Sequence, residues 1–205
     1  MTVKRKASSG PSHSSKERIT TEQYRQELNK ENQKIRYRRT LLSTLSILIV
    51  VAAIAVLLSM LLFPVLQVTG TSMEPTLENG EILLAVKYGR VERGDVVAFY
   101  YNNKVLLKRV IGVAGDQIDI LENGDVLVNG QTLDEPYVAE KSLGQADLDF
   151  PYQVPDSKIF VMGDHRNTSV DSRNSEIGAI AEEFIIGKVI FVVWPFNQFG
   201  FFSTE

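Results

Sequence analysis

One stretch constrains this chain more than any other: residues 41–63 (LLSTLSILIVVAAIAVLLSMLLF) contain no charged side chain. A helix that spans the hydrocarbon of a bilayer needs about 20 such residues. A core helix of a soluble protein rarely stays apolar on every face over this length. The apolar region of a cleaved secretory signal is normally about 7–15 residues and follows a short leader, whereas this one follows 40 residues. The stretch therefore predicts an uncleaved transmembrane helix.

The charge on the two sides of this stretch predicts its orientation. Residues 1–40 hold 11 Lys and Arg against 4 Glu, a net charge of +7, and residues 64–205 hold 11 against 21 Asp and Glu, a net charge of −10. Because Lys and Arg next to a span stay on the cytoplasmic side, we expect a single-pass protein of the cell membrane. Its N-terminus would be cytoplasmic, and residues 64–205 would lie outside the cell.

The tail of residues 1–40 divides by composition. Residues 1–18 are Ser-rich and basic, which is typical of disordered chain. Thr20 and Gln23 have the spacing of a capping box and predict a polar helix through Arg39. Its basic face either contacts anionic lipid or is a spacer without a partner, and the sequence leaves both open. A nucleic-acid partner is not expected, because the adjoining anchor accounts for the positive charge.

Residues 64–205 have the pattern of a mainly β domain. Short apolar runs bounded by Gly, Asn and Asp predict strands in EILLAVKY, DVVAFYY, KVLLKRVIGV, QIDILENGDVLVNG, SKIFVMGD and KVIFVVW. Asn123-Gly124 between two apolar arms predicts a hairpin, and only residues 180–185 (IAEEFI) predict a short helix. We expect antiparallel sheets or a partly open barrel. Residues from about 135 to 157 lack periodicity, so we also expect a small variable excursion at about 120–157.

The composition excludes several kinds of active site. The chain has no Cys, so thiolate catalysis, disulfides and Cys-based zinc sites are impossible. The two His residues, His13 and His165, lie far apart in the sequence, which argues against a His-rich metal site. No Gly-rich phosphate-binding pattern is present. We expect neither a metal nor a cofactor.

Ser72 is a candidate nucleophile. It lies in TSMEPTL, after Gly70 and before Pro75, so the chain bends there. A bend exposes a hydroxyl beside free backbone N–H groups, as acyl transfer requires. Most serines in such a setting nevertheless only form turns.

Lys108 is a candidate general base. Strand alternation in KVLLKRVIGV places it on one face with Leu106 and Val110, and Arg109 on the other face. Burial among apolar neighbours lowers the pKa of an amine, so that it accepts protons near pH 7. The alternative is an edge lysine that reaches solvent, and this strand alone favours that alternative.

A polar loop, GDHRNTSVDSRN, supplies the remaining candidates. Its density of charged side chains favours an ordered, hydrogen-bonded loop over the common solvated one. In one scheme Lys108 deprotonates Ser72 and this loop orients Lys108. In the other, His165 and either Asp164 or Asp171 complete a triad with Ser72. Adjacent side chains such as Asp164 and His165 diverge, and a triad leaves Lys108 unexplained, but the residues alone do not decide.

These motifs occur in an order that resembles one known family. GTSMEPTL is similar to its nucleophile motif, RGDVVAFYY to the next core strand, LLKRVIGVAGD to its lysine motif, VLVNGQTLDEPY to a hairpin, GDHRNTSVDSR to its polar support loop and GKVIFVVWPF to its closing strand. With its N-terminal anchor and these motifs over nearly the whole outer domain, the chain resembles the type I signal peptidases, in the short form typical of Gram-positive bacteria.

The resemblance implies a Ser/Lys-dyad serine endopeptidase with the β-fold that signal peptidases share with SOS-repressor proteases. Its substrates would be preproteins emerging from the secretion translocon, with small residues, usually Ala-x-Ala, before the cut, bound as an extended strand. Ser72 would be the nucleophile and Lys108 the general base. Ser169 would hydrogen-bond to the lysine and orient it, while Asp171 and Arg173 would pair and brace the site.

Further positions near the nucleophile follow from the resemblance. Met73 matches the methionine beside the nucleophile and would contact substrate. Gly70 stands where some relatives carry a hydroxyl residue, so the oxyanion hole would rest mainly on backbone N–H groups, including that of Ser72, with Thr71 pointing away. His165 stands where relatives usually have Asn or Asp, and we assign it no catalytic role.

Two other functions are compatible with parts of this pattern. An SOS-repressor-like autoprotease also uses Ser and Lys, but such proteins lack the anchor, and residues 1–40 match a DNA-binding domain poorly. A non-catalytic, membrane-anchored binding module is the other alternative. The intact set of Ser72, Lys108 and Ser169 argues against it.

Overall fold

The computed structural model describes residues 21–87 and 89–202, without the side chain of Gln23. The predicted disorder of residues 1–18 and the capping contact of Thr20 with Gln23 lie outside the described residues. The chain divides after Ala55 into two compact units.

One helix, α1 (Thr21–Leu62), forms the described part of the first unit and begins the second. It continues from the polar segment into the apolar segment without a break, where the sequence predicts two separate segments. Its uncharged part, from residue 41 onward, is about 33 Å long at about 1.5 Å per residue, against about 30 Å of bilayer hydrocarbon. α1 is therefore long and apolar enough to cross a membrane.

Antiparallel strands make up most of the second unit, which confirms the predicted mainly β fold. The larger sheet has the order β1-β2-β11-β3-β4-β9-β10, with β12 paired to β11, and the smaller sheet has the order β7-β6-β5-β8. The described strands are β1 (Val65–Gln67), β2 (Ile82–Val86), β3 (Val96–Tyr101), β4 (Lys104–Gly112), β5 (Gln117–Ile120), β6 (Val126–Val128), β7 (Gln131–Thr132), β8 (Tyr152–Gln153), β9 (Lys158–Met162), β10 (Ile180–Ala181), β11 (Ile185–Trp194) and β12 (Gly200–Phe201).

The central strand β3 shows how the sequence sets the packing layers. Residues 96–99 are all fully buried, so their continuous apolar run packs on both faces of the sheet. Val97 belongs to a cluster with Val161 of β9, and Val96 belongs to a second cluster with Met73. The centre of the larger sheet is thus a fixed base for β4 and for the turn that carries Met73.

The predicted hairpin is present, because β5 and β6 pair antiparallel on either side of Asn123-Gly124. Gly124 has a φ of 84°, a conformation that favours glycine. In the rest of the excursion only β7 and β8 are strands among the described residues. Leu148 and Phe150 pack against the core beneath β5 and β6, so this irregular stretch is anchored to the smaller sheet.

The short helix predicted for residues 180–185 is wrong for most of that stretch. Its first two residues pair with β9 and form β10. Only Glu182–Phe184 forms a single 3-10 turn. Pairing with the edge of the larger sheet outweighs the local helical pattern here.

Candidate active site

Ser72 lies in a turn between β1 and β2. Gly70 opens the turn with a φ of 93°, and its N–H donates to Asn79 Oδ1 at 3.0 Å. Leu77 N–H donates to the carbonyl of Met73 at 2.9 Å. Met73 and Leu77 are buried in the core, whereas Ser72 is only half-buried. The turn predicted from the sequence therefore anchors its apolar side chains and leaves the hydroxyl accessible.

Lys108 on β4 points at this hydroxyl. Its Nζ lies 2.6 Å from Ser72 Oγ, and the residue is only 4% exposed. The edge lysine that the strand alone favours is therefore wrong. Burial lowers the pKa of Lys108 from 10.5 to about 8. The charge of Asp171 opposes this shift, and that of Arg173 adds to it.

The backbone N–H of Ser72 donates to no described residue in the chain. It sits in the same turn as the hydroxyl, where a carbonyl attacked by Oγ would develop negative charge. A free N–H at this place has the chemistry of an oxyanion donor.

Asp171 and Arg173 form a fully buried, two-point ion pair beneath the site. Arg173 Nε donates to Asp171 Oδ1 at 2.8 Å and Nη2 donates to Oδ2 at 2.9 Å. Asp171 Oδ2 also accepts from Gly163 N–H at 2.9 Å. Arg173 donates further to the carbonyl of Arg166 at 2.9 Å. The pair thus ties both ends of residues 163–174, which we call the support loop.

Ser169 is buried beside these residues, but its Oγ has no hydrogen-bond partner among those described. The hydrogen bond to Lys108 that the resemblance implies is therefore not made in this structure. Lys108 Nζ is turned toward Ser72. Ser169 Oγ instead packs where a Cβ on Gly163 would be, so only a glycine allows this approach.

Two buried ion pairs escape the sequence analysis. Arg109 donates to Asp164 through Nε at 2.9 Å and Nη2 at 2.8 Å, and Thr76 Oγ1 donates to the same carboxylate at 2.5 Å. Arg166 donates to Glu135, and all four charged side chains are at most 1% exposed. These pairs join β4, the turn that carries Ser72 and the excursion to the support loop. The density of charged side chains in the polar loop indicates an ordered loop, but it does not indicate which residues pair.

His165 contacts the turn that carries Ser72 but not the Ser72 hydroxyl. Its backbone N–H donates to the carbonyl of Ser72 at 3.1 Å, and its Nδ1 lies 3.3 Å from the carbonyl oxygen of Thr71. Asp164 is paired with Arg109 and Asp171 with Arg173. No Asp–His contact occurs in the described residues, so the triad scheme has no geometric support.

A cavity of about 310 Å³ adjoins Ser72 and Lys108. It is lined by residues 65–70, Ser72, Met73, Leu83 and residues 105–108. Met73 lines this cavity, but it is only 2% exposed, so most of its side chain belongs to the core. Within residues 21–87 and 89–202, no group of three or more His, Asp or Glu side chains is arranged to hold a metal ion.

The similarity of this chain to known proteins extends beyond the residues around Ser72. The family described as "Signal peptidase, peptidase S26" matches residues 41–194. Signal peptidase I S of Bacillus subtilis (strain 168) is 34% identical over 180 residues, 82% of this chain and 97% of that protein. A signal peptidase I of Bacillus amyloliquefaciens is 36% identical over 182 residues, 83% of this chain and 97% of that protein. A crystal structure of a signal peptidase I from Enterococcus faecalis V583 is 25% identical, with a TM-score of 0.41, and covers 49% of this chain and 97% of that chain.

Proposed function

This chain belongs to the signal peptidase family, peptidase S26, and from that premise we propose that Ser72 and Lys108 are its catalytic dyad. It is a serine endopeptidase that removes signal peptides from preproteins. The observation that carries the assignment of the dyad is the 2.6 Å approach of a buried lysine amine to the Ser72 hydroxyl.

The pKa of Lys108 suits the role of general base. A pKa of about 8 leaves roughly a tenth of the amine neutral at pH 7. Neutral Lys108 accepts the Ser72 proton as Oγ attacks the scissile carbonyl carbon. Ser72 N–H stabilises the oxyanion, typically by about 3–4 kcal/mol per donor. Lys108 then protonates the departing amine and activates the water that hydrolyses the acyl-enzyme.

Asp171, Arg173 and Ser169 support this chemistry from the loop. The two-point pair of Asp171 with Arg173 holds the start of the loop at Gly163, which lies beneath the turn that carries Ser72, here called the nucleophile turn. Ser169 keeps a buried hydroxyl without a partner in the described part of the chain, a state that costs about 1–3 kcal/mol. We assign this hydroxyl to Lys108, whose ammonium form gains an acceptor when the amine turns away from Ser72.

The substrate fits the cavity as an extended strand. Among the described strands, β1 pairs only with β2, and β4 pairs with β9 only from Arg109 onward. One edge of β1 and one edge of residues 105–107 are therefore free, and both line the cavity beside Ser72. A preprotein segment pairs with such edges through its backbone. The apolar walls, including Met73 and Leu83, suit small residues such as Ala.

The membrane placement is part of the proposal. Residues 41–63 form a single span, residues 1–40 a cytoplasmic basic tail, and residues 64–205 an extracytoplasmic catalytic domain that receives preproteins as they leave the translocon. A cross-strand row of Val65, Leu84, Phe191 and Phe201 runs over β1, β2, β11 and β12. Val65 is 63% and Phe201 86% exposed. Because this apolar row starts three residues after α1 ends, we assign it to contact with lipid.

Cleavage of a preprotein by the full chain in detergent tests the dyad. Wild type should cut after Ala-x-Ala, and both Ser72→Ala and Lys108→Ala should lose cleavage. Lys104→Ala is the matched control, because Lys104 is exposed on the same strand, and it should cleave normally. Retained activity in Lys108→Ala with complete loss in His165→Ala would refute the dyad in favour of a triad.

Protease added to intact cells tests the topology. It should digest residues 64–205 and spare an epitope placed before residue 20. Digestion of the N-terminal epitope, with protection of the β domain, would contradict the orientation.

A further inference from the structure

His165 holds both peptide groups that flank Ser72. Its backbone N–H reaches the Ser72 carbonyl at 3.1 Å, and its ring Nδ1 reaches the Thr71 carbonyl at 3.3 Å. The support loop approaches closely here, because a Cβ on Gly163 would lie only 2.5 Å from the Ser72 carbonyl oxygen. His165 is itself held in place, since its carbonyl accepts from Ser169 N–H at 3.1 Å.

The contact with Thr71 acts on the oxyanion donor through a single peptide group. The Thr71–Ser72 peptide is trans, so its C=O and N–H lie in one plane and point in opposite directions. Holding the Thr71 oxygen therefore fixes the direction of the Ser72 N–H. A hydrogen bond accepted by the carbonyl also polarises the N–H of the same group. The Thr71 oxygen accepts a second bond from Glu74 N–H at 3.1 Å, which secures the plane from another side.

The chemistry of the partner assigns the ring's proton. A backbone carbonyl only accepts hydrogen bonds, so Nδ1 must carry hydrogen. The neutral Nδ1–H tautomer and the imidazolium both meet this requirement. The contact therefore needs a donor at this position of the side chain and does not need a charge.

We propose that His165 is a positioning residue for the oxyanion hole, which fixes and polarises the Ser72 N–H through the Thr71 carbonyl. The inference rests on the proposed function, in which that N–H stabilises the tetrahedral intermediate. His165 is not among the residues that line the cavity beside Ser72, and its ring contacts the Thr71 carbonyl rather than Lys108. Its loss should therefore lower kcat and leave KM and the titration of Lys108 unchanged.

Two substitutions of nearly equal shape distinguish the effect of losing the hydrogen-bond donor from the effect of changing the side-chain volume. His165→Asn places an N–H donor at a reach similar to that of Nδ1, whereas His165→Leu places a methyl group there. Removing an oxyanion donor outright costs about 10²–10³ in kcat. Because the Ser72 N–H remains, we expect a smaller loss in His165→Leu, about tenfold in kcat, with KM within about twofold of wild type. His165→Asn should stay within about twofold of wild type in both constants.

Steady-state cleavage of an Ala-x-Ala peptide by the full chain in detergent, measured from pH 6 to pH 10, is the test. Thr168→Ala, exposed on the same loop, is the control and should match wild type. If His165→Leu fails to fold, His165→Ala replaces it with the same expected loss. Equal losses in the Asn and Leu variants, a loss confined to KM, or a shifted acid limb would each overturn the inference. Failure of the proposed function gives a different result, namely cleavage that survives Ser72→Ala.

Discussion

Replacing Lys108 by Met should abolish cleavage and stabilise the folded protein near neutral pH. Lys108 is 4% exposed, and burial lowers its pKa from 10.5 to about 8. Between these two values the unfolded chain binds a proton that the folded chain does not bind. The free energy of unfolding of wild type therefore rises with pH across this window. Below about pH 8 both states are protonated, so the folded state bears the full cost of the buried charge.

The size of the effect follows from the shift in pKa. Each pKa unit corresponds to about 1.4 kcal/mol, so the shift corresponds to about 3 kcal/mol between pH 7 and pH 10.5. Methionine has a similar length, fills the same apolar space and does not titrate. The stability of Lys108→Met relative to wild type should therefore be about 3 kcal/mol greater at pH 7 than at pH 10.5. The lost contact with Ser72 enters both measurements and largely cancels.

Urea unfolding of the full chain in detergent, followed by fluorescence of its single tryptophan, measures this difference. Trp194 lies in the β domain at the end of β11. Lys104→Met, at an exposed position of β4, is the control and should show no such dependence on pH. A difference below about 1 kcal/mol between the two pH values would refute the claim that burial depresses the lysine pKa.

Two further predictions concern the pH profile and the buried ion pairs. The kcat/KM of wild type should rise about tenfold per pH unit up to about pH 8 and then level off, because only neutral Lys108 accepts the proton; a limb near pH 6.5 would indicate a histidine base instead. Glu135→Gln should lower the free energy of unfolding by about 3–5 kcal/mol, since it leaves Arg166 buried and unpaired. Lys141→Met breaks a partly exposed pair with Asp125 and should change the free energy of unfolding far less, because solvent screens this pair; equal losses in urea unfolding of the two variants would contradict the argument.

Local patterns predicted most of the described elements, although not the strand at the start of residues 180–185, and they did not predict which side chains pair with which. The uncharged run of residues 41–63 predicts the apolar part of α1, and strand alternation predicts that Lys108 and Arg109 face opposite ways. Alternation does not predict whether a face is buried, and both faces of β4 are buried at Lys108 and Arg109. That depends on β3, β9 and the nucleophile turn, which are distant in sequence. For the same reason the strand alone favoured a solvent-exposed lysine.

The hydrogen bond between Ser169 and Lys108 that the resemblance implies is absent from this structure for a different reason. A sequence motif specifies the type of residue at a position. Whether the hydroxyl of that residue reaches its partner depends on the side-chain rotamer, which the motif does not specify. Here Lys108 is engaged by Ser72, and Ser169 Oγ is left beside Gly163. The glycine is the informative residue, because its missing side chain lets the support loop reach the Ser72 carbonyl.

The buried arginines are better explained by positioning than by stability. Arg109, Arg166 and Arg173 are each at most 1% exposed, and each pairs with one carboxylate. Well-packed apolar residues often stabilise a core as much as a buried ion pair does, so stability alone gives no reason for three of them. Each arginine also donates to a backbone carbonyl, at Gly94, Gly163 and Arg166 respectively.

A pair of charges with such directional bonds is satisfied in only one arrangement of the chain. Asp164 holds both Arg109 and Thr76 of the nucleophile turn, and the next residue, His165, holds the carbonyls on either side of Ser72. A displacement of the support loop by about 1 Å would therefore displace the Ser72 hydroxyl and N–H as well. Displacements of that size at reacting groups cost about 10²-fold in rate. We infer that the ion pairs serve to fix this loop, and that their loss should lower kcat even under conditions where the protein remains folded.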